Sequence, residues 1–210
     1  MKLNEKFKHI QEEMAQQLPR DILNIFGKSL QELLAQKLET NALKVGDIAP
    51  DFTLLDTNGL PVSLYDVLKD HLVILSFFRG NWCPFCIAEL RHYQEAINND
   101  KINSSTVIAV SPQTVNYNSQ VSKQNDLQFK ILCDQGNKIA EKYGLVFVLP
   151  ENVRDLYKSV GADLEIFNND NTYKLPIPAT YVIDQNKKII FASVDANYME
   201  RADVCDIQFK

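Results

Sequence analysis

The chain has 210 residues, 45% of them apolar and 23% charged, and a net charge of −5 from 22 basic and 27 acidic side chains. That length suits one domain with an extension and a substantial core, while a mildly acidic chain without a basic block is not built for nucleic acid, which needs Lys and Arg gathered on one face. The longest nearly unbroken apolar run, residues 72–78, is far short of a bilayer span, and the opening Met1-Lys2-Leu3-Asn4-Glu5-Lys6 shows no secretory apolar segment, so a cytoplasmic protein with no membrane association is expected.

Residues 1–44 read as two helices. Phe7, Ile10 and Met14 mark one apolar stripe, Pro19 interrupts, and Ile22, Ile25, Phe26, Leu30, Leu33, Leu34 and Leu38 mark a second. Two such helices cannot bury their faces alone. They either lie against the unit that follows or meet a second copy in a homodimer, and packing is the expectation. The composition shifts at Val45-Gly46-Asp47-Ile48-Ala49-Pro50, which opens a unit spanning 45–210.

Within that unit the segment 51–55, then Asn58-Gly59, then 61–64 predicts strand, tight turn, strand, with Asn-Gly supplying the positive-φ positions. A helical turn is expected over 65–69, a buried strand over 72–78 and a helix over 83–98. Strands at 106–110 and 129–132 alternate with helices at 115–123 and 137–143. Further strands are expected at 144–148, 180–183 and 188–194, the last two as an antiparallel pair joined by 184–187, while 151–169 is partly helical and partly loop. Alternation of this kind predicts an α/β fold, a mixed β-sheet flanked by helices on both faces, with an N-terminal helical extension.

The chemistry concentrates in Arg79-Gly80-Asn81-Trp82-Cys83-Pro84-Phe85-Cys86, where the strand gives way to the helix. Cys83 falls at the N-cap, and Pro84 at the first helical position, where its missing N–H costs nothing. The free amides and dipole of a helix start stabilise a thiolate, the reactive form. Cys86 is one turn on, within reach of a disulfide, and Arg79 is the nearest cation. Trp82 and Phe85 are expected to flank the sulfurs and limit water. A low-pKa thiolate beside a second thiol suits disulfide exchange, and it also traps a sulfenic acid as a disulfide.

A zinc site would need two more soft ligands close by. Cys133 and Cys205 stand alone, and His9, His71 and His92 are scattered, so no metal is expected. Cys133 reads as a half-buried strand-end residue, Cys205 as an exposed bystander or a tail thiol able to reach a neighbouring subunit, and His92 as a surface residue.

Trp82-Cys83-Pro84-Phe85-Cys86 resembles the active-site turn of thioredoxins and glutaredoxins. The wider frame resembles the alkyl hydroperoxide reductase / thiol-specific antioxidant (peroxiredoxin) family. Gly46-Asp47-Ile48-Ala49-Pro50-Asp51-Phe52-Thr53-Leu54 is similar to its N-terminal signature, and Phe77-Phe78 to the aromatic pair entering its active-site loop. Leu132-Cys133-Asp134 with Ala140-Glu141-Lys142-Tyr143-Gly144 resembles its middle segment, and Thr180-Tyr181-Val182-Ile183-Asp184 its late strand. Arg-Gly-Asn-Trp-Cys-Pro-Phe-Cys marks a peroxiredoxin-like branch. The resemblance spans residues 45–195 and implies a thioredoxin fold with no cofactor.

Three positions depart from that frame. The loop's Pro falls on Arg79, its Thr on Cys83 and its attacking Cys on Cys86, while the family's supporting arginine falls on Pro178. Ile177-Pro178-Ala179-Thr180 instead resembles the cis-proline loop of thioredoxins, which holds a substrate strand. The buried acid of thioredoxins falls on Phe77. Thioredoxin logic names Cys83 as the attacking sulfur and peroxiredoxin logic names Cys86; the N-cap argument favours Cys83.

The resemblance implies a thiol-dependent peroxidase reducing hydrogen peroxide or organic hydroperoxides, with Cys83, Cys86, Arg79 and Trp82 catalytic, Phe78, Phe85 and Pro178 against the substrate, and thioredoxin or a glutathione-type thiol as reductant. The alternatives are a thioredoxin-like disulfide reductase and a non-catalytic interaction protein whose dithiol is vestigial or binds metal. Asp195, Tyr198 and Arg201, spaced by three, read equally well as a salt-bridged end piece and as site residues.

Overall fold

Two helices lead the chain, α1 (Leu3–Gln17) and α2 (Arg20–Ala35), in the computed structural model, which describes residues 1–103 and 106–207. The break at Leu18-Pro19 follows from proline chemistry: Leu18, the residue before the ring, is driven to an extended conformation (φ −97°, ψ 141°), and Pro19 caps the new helix. Then come β1 (Thr53–Asp56), β2 (Pro61–Ser63), α3 (Leu64–Val67), β3 (Val73–Phe77), α4 (Pro84–Asn98), β4 (Val107–Ser111) and α5 (Val115–Gln124). The chain continues through β5 (Lys130–Cys133), α6 (Lys138–Lys142), β6 (Val146–Val148), α7 (Glu151–Ser159), α8 (Leu164–Asn168), β7 (Lys174–Pro176), β8 (Ala179–Ile183) and β9 (Ile189–Val194).

Seven strands form one sheet in the order β2-β1-β5-β4-β3-β8-β9. β3 pairs parallel with β4 and β4 with β5, whereas β8 runs antiparallel to both β3 and β9, so the sheet is mixed as expected. β3 is buried along its whole length and sorts its side chains by alternation. Val73, Leu75 and Phe77 enter a core shared with Tyr143 and Tyr181, and Ile74 and Phe78 enter a second shared with Phe85, Leu90 and Tyr93.

The N-terminal helices divide between these two cores. α1 lies on α4 and sends Leu3 and Phe7 into the second core, with Phe7 edge-on to Phe85 at 5.4 Å. α2 packs on α7 and joins the first through Leu33. The extension thus bridges the sheet end where β3 meets α4.

Three expectations change. Residues 146–148 leave the main sheet and pair antiparallel with β7, a strand too short at Lys-Leu-Pro to show a period. The ambiguous stretch 151–169 resolves into α7 and α8. In the β1–β2 turn only Gly59 takes a positive φ (77°), and Asn58 does not; Asp56 holds the four-residue connection by accepting the N–H groups of Asn58 and Leu60 on its carboxylate.

Gly144 fastens the extension to the sheet. Its φ is +71°, and a Cβ there would stand 2.1 Å from the carbonyl oxygen of Asn41. Gly144→Ala is expected to lower stability by about 2 kcal/mol or more, seen as an earlier urea midpoint with an unchanged slope.

Candidate active site

The loop after β3 is pinned before it reaches the thiols. At Gly80 a Cβ would come within 2.5 Å of Trp82 Nε1, so only glycine lets the indole fold back over the loop. Asn81 and the buried Gln113 form a closed pair: the Asn81 backbone N–H donates to Gln113 Oε1 and Gln113 Nε2 donates to Asn81 Oδ1, each at 2.8 Å. Cys83 is the N-cap of α4 and Pro84 its first helical residue, as expected. The Cys86 backbone N–H donates to Cys83 Sγ at 3.4 Å, and Arg79 Nη2 donates to the same sulfur at 3.1 Å.

Both sulfurs are fully buried, yet only Cys83 of the pair lines a cavity, of about 210 Å³. Met14 and Leu18 at the end of α1 and Phe26 of α2 roof it; Trp82, Phe85, Tyr157 and Tyr198 wall it; Arg79 and Cys83 face it. The Arg79 guanidinium sits 3.9 Å from the Tyr198 ring centre and 5.0 Å from that of Trp82. Arg79 Nε and Trp82 Nε1 are buried donors with no partner among the described residues.

The two thiols are driven apart in acidity. Burial pushes Cys83 up, but hydrogen bonding from Cys86 and the charge of Arg79 more than reverse it, bringing Cys83 down to about 5. Burial pushes Cys86 well above the ordinary thiol range, and its hydrogen bond to Cys83 and the nearby Cys83 charge push the same way. The pair therefore holds one thiolate and one thiol at neutral pH.

Beneath them lies an ion pair that the sequence reading did not assign. Glu89, one turn beyond Cys86, is buried and accepts from Arg201 Nε at 3.2 Å, from Tyr93 Oη at 3.3 Å and from Thr180 Oγ1 at 3.5 Å. Arg201 makes the salt bridge that the end-piece reading expected, but to a buried carboxylate beneath the thiols, while Tyr198 stacks on Arg79 and Asp195 caps the turn through the Asn197 N–H. A lone acid three residues from Cys86 on an otherwise apolar helix face was the available signal. Burial raises the Glu89 pKa from 4.5 to about 7, against the lowering effect of Arg201. The folded chain then keeps a proton that the unfolded chain loses, so stability falls as pH rises between about 4.5 and 7. Glu89→Gln is expected to flatten that fall by up to about 3 kcal/mol, read from urea midpoints at several pH values.

Other expected residues lie elsewhere. Phe78 is fully buried in the α4 core together with Phe85 and both thiols, and it does not line the cavity. Pro178 is also buried away from the cavity, and no peptide bond among the described residues is cis, so it does not present the edge that the thioredoxin resemblance implied. Cys133 is half-buried at the end of β5, its sulfur accepting from Asn118 Nδ2 at 3.3 Å, as expected. His92 is buried, not on the surface, because α1 and the C-terminal segment cover that side of α4; Cys205 is half-buried, 3.9 Å from it.

Comparison with known proteins adds the lineage. The model of the AhpC/TSA family matches residues 45–192. A Helicobacter pylori J99 relative, provisionally named peroxiredoxin bcp, is 31% identical over 101 residues, 48% of this chain and 66% of its own. The chloroplastic peroxiredoxin Q of Triticum aestivum is 28% identical over 145 residues, 67% of this chain and 66% of its own. The matched stretch thus spans just under two thirds of these relatives. The crystal structure of peroxidoxin BcpB from Mycobacterium tuberculosis superposes with a TM-score of 0.60 at 21% identity, covering 78% of this chain and 91% of that one. Peroxiredoxin 6 of Arenicola marina, in a cysteine-to-serine mutant form, gives 0.56 at 18% identity, covering 73% and 65%. The likeness shows the thioredoxin-type fold. No helix among the described residues is long and apolar enough to cross a membrane.

Proposed function

The chain belongs to the AhpC/TSA family, and on that premise we propose that it is a thiol-dependent peroxidase in which Cys83 attacks and Cys86 resolves. The observation that carries this reading is the asymmetry of the pair: Cys83 faces the cavity under the Arg79 guanidinium, whereas Cys86 is buried behind it. The Cys83 thiolate attacks the terminal oxygen of a hydroperoxide; the O–O bond breaks, sulfur takes up the hydroxyl as a sulfenic acid, and the alkoxide leaves with a proton as alcohol. The Cys86 thiol then attacks that sulfur, releasing water and forming the disulfide. A dithiol or two monothiols, thioredoxin or a glutathione-type thiol, return the pair to the reduced state and leave oxidised. The unpartnered N–H groups of Arg79 and Trp82 supply donors for the developing charge on the departing oxygen.

In the peroxiredoxin frame the attacking position falls on Cys86 and the arginine on Pro178. In this chain the positive charges come from Arg79 before the helix and Arg201 after the last strand, and both act on the two thiols. The roof of Met14, Leu18 and Phe26 favours organic hydroperoxides with a compact apolar group over hydrogen peroxide: a cavity of roughly 150 Å³ accepts benzene, and this one is larger. A fully buried Cys83 argues against reduction of protein disulfides and, by the same measure, favours a small glutathione-type thiol over thioredoxin as the reductant. We place the enzyme in the cytoplasm.

Trp82, the single tryptophan, reports on the reaction. Mixing reduced protein with stoichiometric cumene hydroperoxide or hydrogen peroxide in a stopped flow should quench or enhance its emission at a second-order rate far above that of free cysteine, fastest with the organic peroxide. A rate no better than free cysteine, together with rapid insulin reduction, would replace the peroxidase by a disulfide reductase.

A further inference from the structure

Away from the dithiol, three groups able to bind a metal meet, one from α4 and two from the C-terminal segment. His92 on α4 places Nε2 2.7 Å from Asp203 Oδ1 and 3.9 Å from Cys205 Sγ, and one ligand atom from each residue lies within 4.8 Å of the others. A single ring nitrogen therefore faces both the carboxylate and the sulfur. A thiol–imidazole–carboxylate relay would need the two ring nitrogens to serve its two partners separately. Three donors converging on one point have the geometry of a chelate. The other ring nitrogen, Nδ1, is buried without a hydrogen-bond partner among the described residues, and the nearest carboxylate, Glu95 at 3.6 Å, is held by Lys6.

We propose that His92, Asp203 and Cys205 form a binding site for a divalent ion of the zinc class, with imidazole, carboxylate and thiolate as its protein ligands. The fourth position opens on a cavity of about 260 Å³. Tetrahedral zinc, with bonds of roughly 2.0–2.3 Å, sets its donors about 3.2–3.8 Å apart. The ion would displace the proton between His92 and Asp203, widen that contact by roughly half an ångström, and take the Cys205 proton as well. Lys101 faces the same sulfur and is the ion's competitor, while Lys2 is engaged by Asp206 at the rim. Asp203 Oδ2 also accepts the Leu3 N–H that begins α1, so a bound ion would fasten α1 at the end opposite the roof over Cys83. The site is independent of the peroxidase reading.

Cobalt(II) tests it, because thiolate coordination gives a charge-transfer absorption and tetrahedral geometry intense visible bands. In reduced, chelator-treated full-length protein with Cys83→Ser and Cys86→Ser, one equivalent of cobalt should bind and show both features, and zinc should displace it. Cys205→Ser on that background should lose the charge-transfer band while keeping its circular dichroism and thermal transition. Lys101→Met should bind up to about fivefold more tightly. Absence of cobalt bands at millimolar metal in the Cys83/Cys86 variant, or bands unchanged by Cys205→Ser, would overturn the proposal.

Discussion

Cys83→Ser is expected to abolish peroxide consumption, whereas Cys86→Ser should complete one turnover and stop with an oxygen atom added to Cys83. The division follows from the neighbours of each sulfur. Cys83 accepts from both Arg79 Nη2 and the Cys86 amide, so it exists as thiolate at neutral pH, and it faces the cavity. Cys86 has neither advantage. The first-turnover rate should then be flat above about pH 6 and fall as pH drops through about 5, since protonation below the folded value removes the nucleophile. Mass spectrometry after brief oxidation, with stopped-flow rates across pH, decides the matter. Were Cys86 the attacker, Cys86→Ser would be the dead variant and the rate would keep climbing into alkaline solution.

The second large effect is expected at Arg79. Its guanidinium lies between the Trp82 and Tyr198 rings and gives one N–H to the thiolate. Arg79→Met keeps much of the stem volume but removes the charge, and loss of an opposite charge at this range raises the Cys83 pKa by roughly 1–3 units. Removal of a donor to the departing oxygen should cost a further factor of about 10²–10³ in the peroxide rate. The first part disappears when rates are compared well above the new pKa and the second does not, so a pH series separates them. Arg79→Lys should recover the acidity better than the rate, because an ammonium offers no planar fork to stack and donate at once. An Arg79→Met protein with an unshifted pH profile and full rate would exclude the cation from both roles.

The parts legible in the sequence are those written locally. The strand over 73–77, the helix from Pro84 and the placement of Cys83 at its cap all follow from a short apolar run, a proline and two thiols. Arg79 and Trp82 were legible for the same reason, being neighbours of the thiols in the chain. What folding contributes from afar was not: Phe26 lies on the α2 stripe and Tyr198 in the cluster spaced by three, but nothing in those patterns ties either to the thiols, and Tyr157 carries no mark at all, yet all three reach the cavity. His92 misled because it sits on the side of α4 that an isolated helix would leave to solvent; its burial depends on α1 and the C-terminal segment arriving there. Pro178 misled in the opposite sense. Its neighbours imitate a substrate-holding loop, but its carbonyl oxygen accepts the Asp195 N–H at 3.5 Å beyond the end of β9, and it does not line the cavity.

Cys83 and Cys86 share the first turn of one helix, already joined by a sulfur–amide contact, and this has a consequence for endurance. Enzymes whose second thiol must travel give a newly formed sulfenic acid time to meet another oxidant molecule and be lost to irreversible sulfinic acid. On the proposed cycle the capturing thiol already sits in the same helical turn as the sulfur it must reach. The chain should therefore keep working through oxidant surges that would burn out a catalyst with a slower partner.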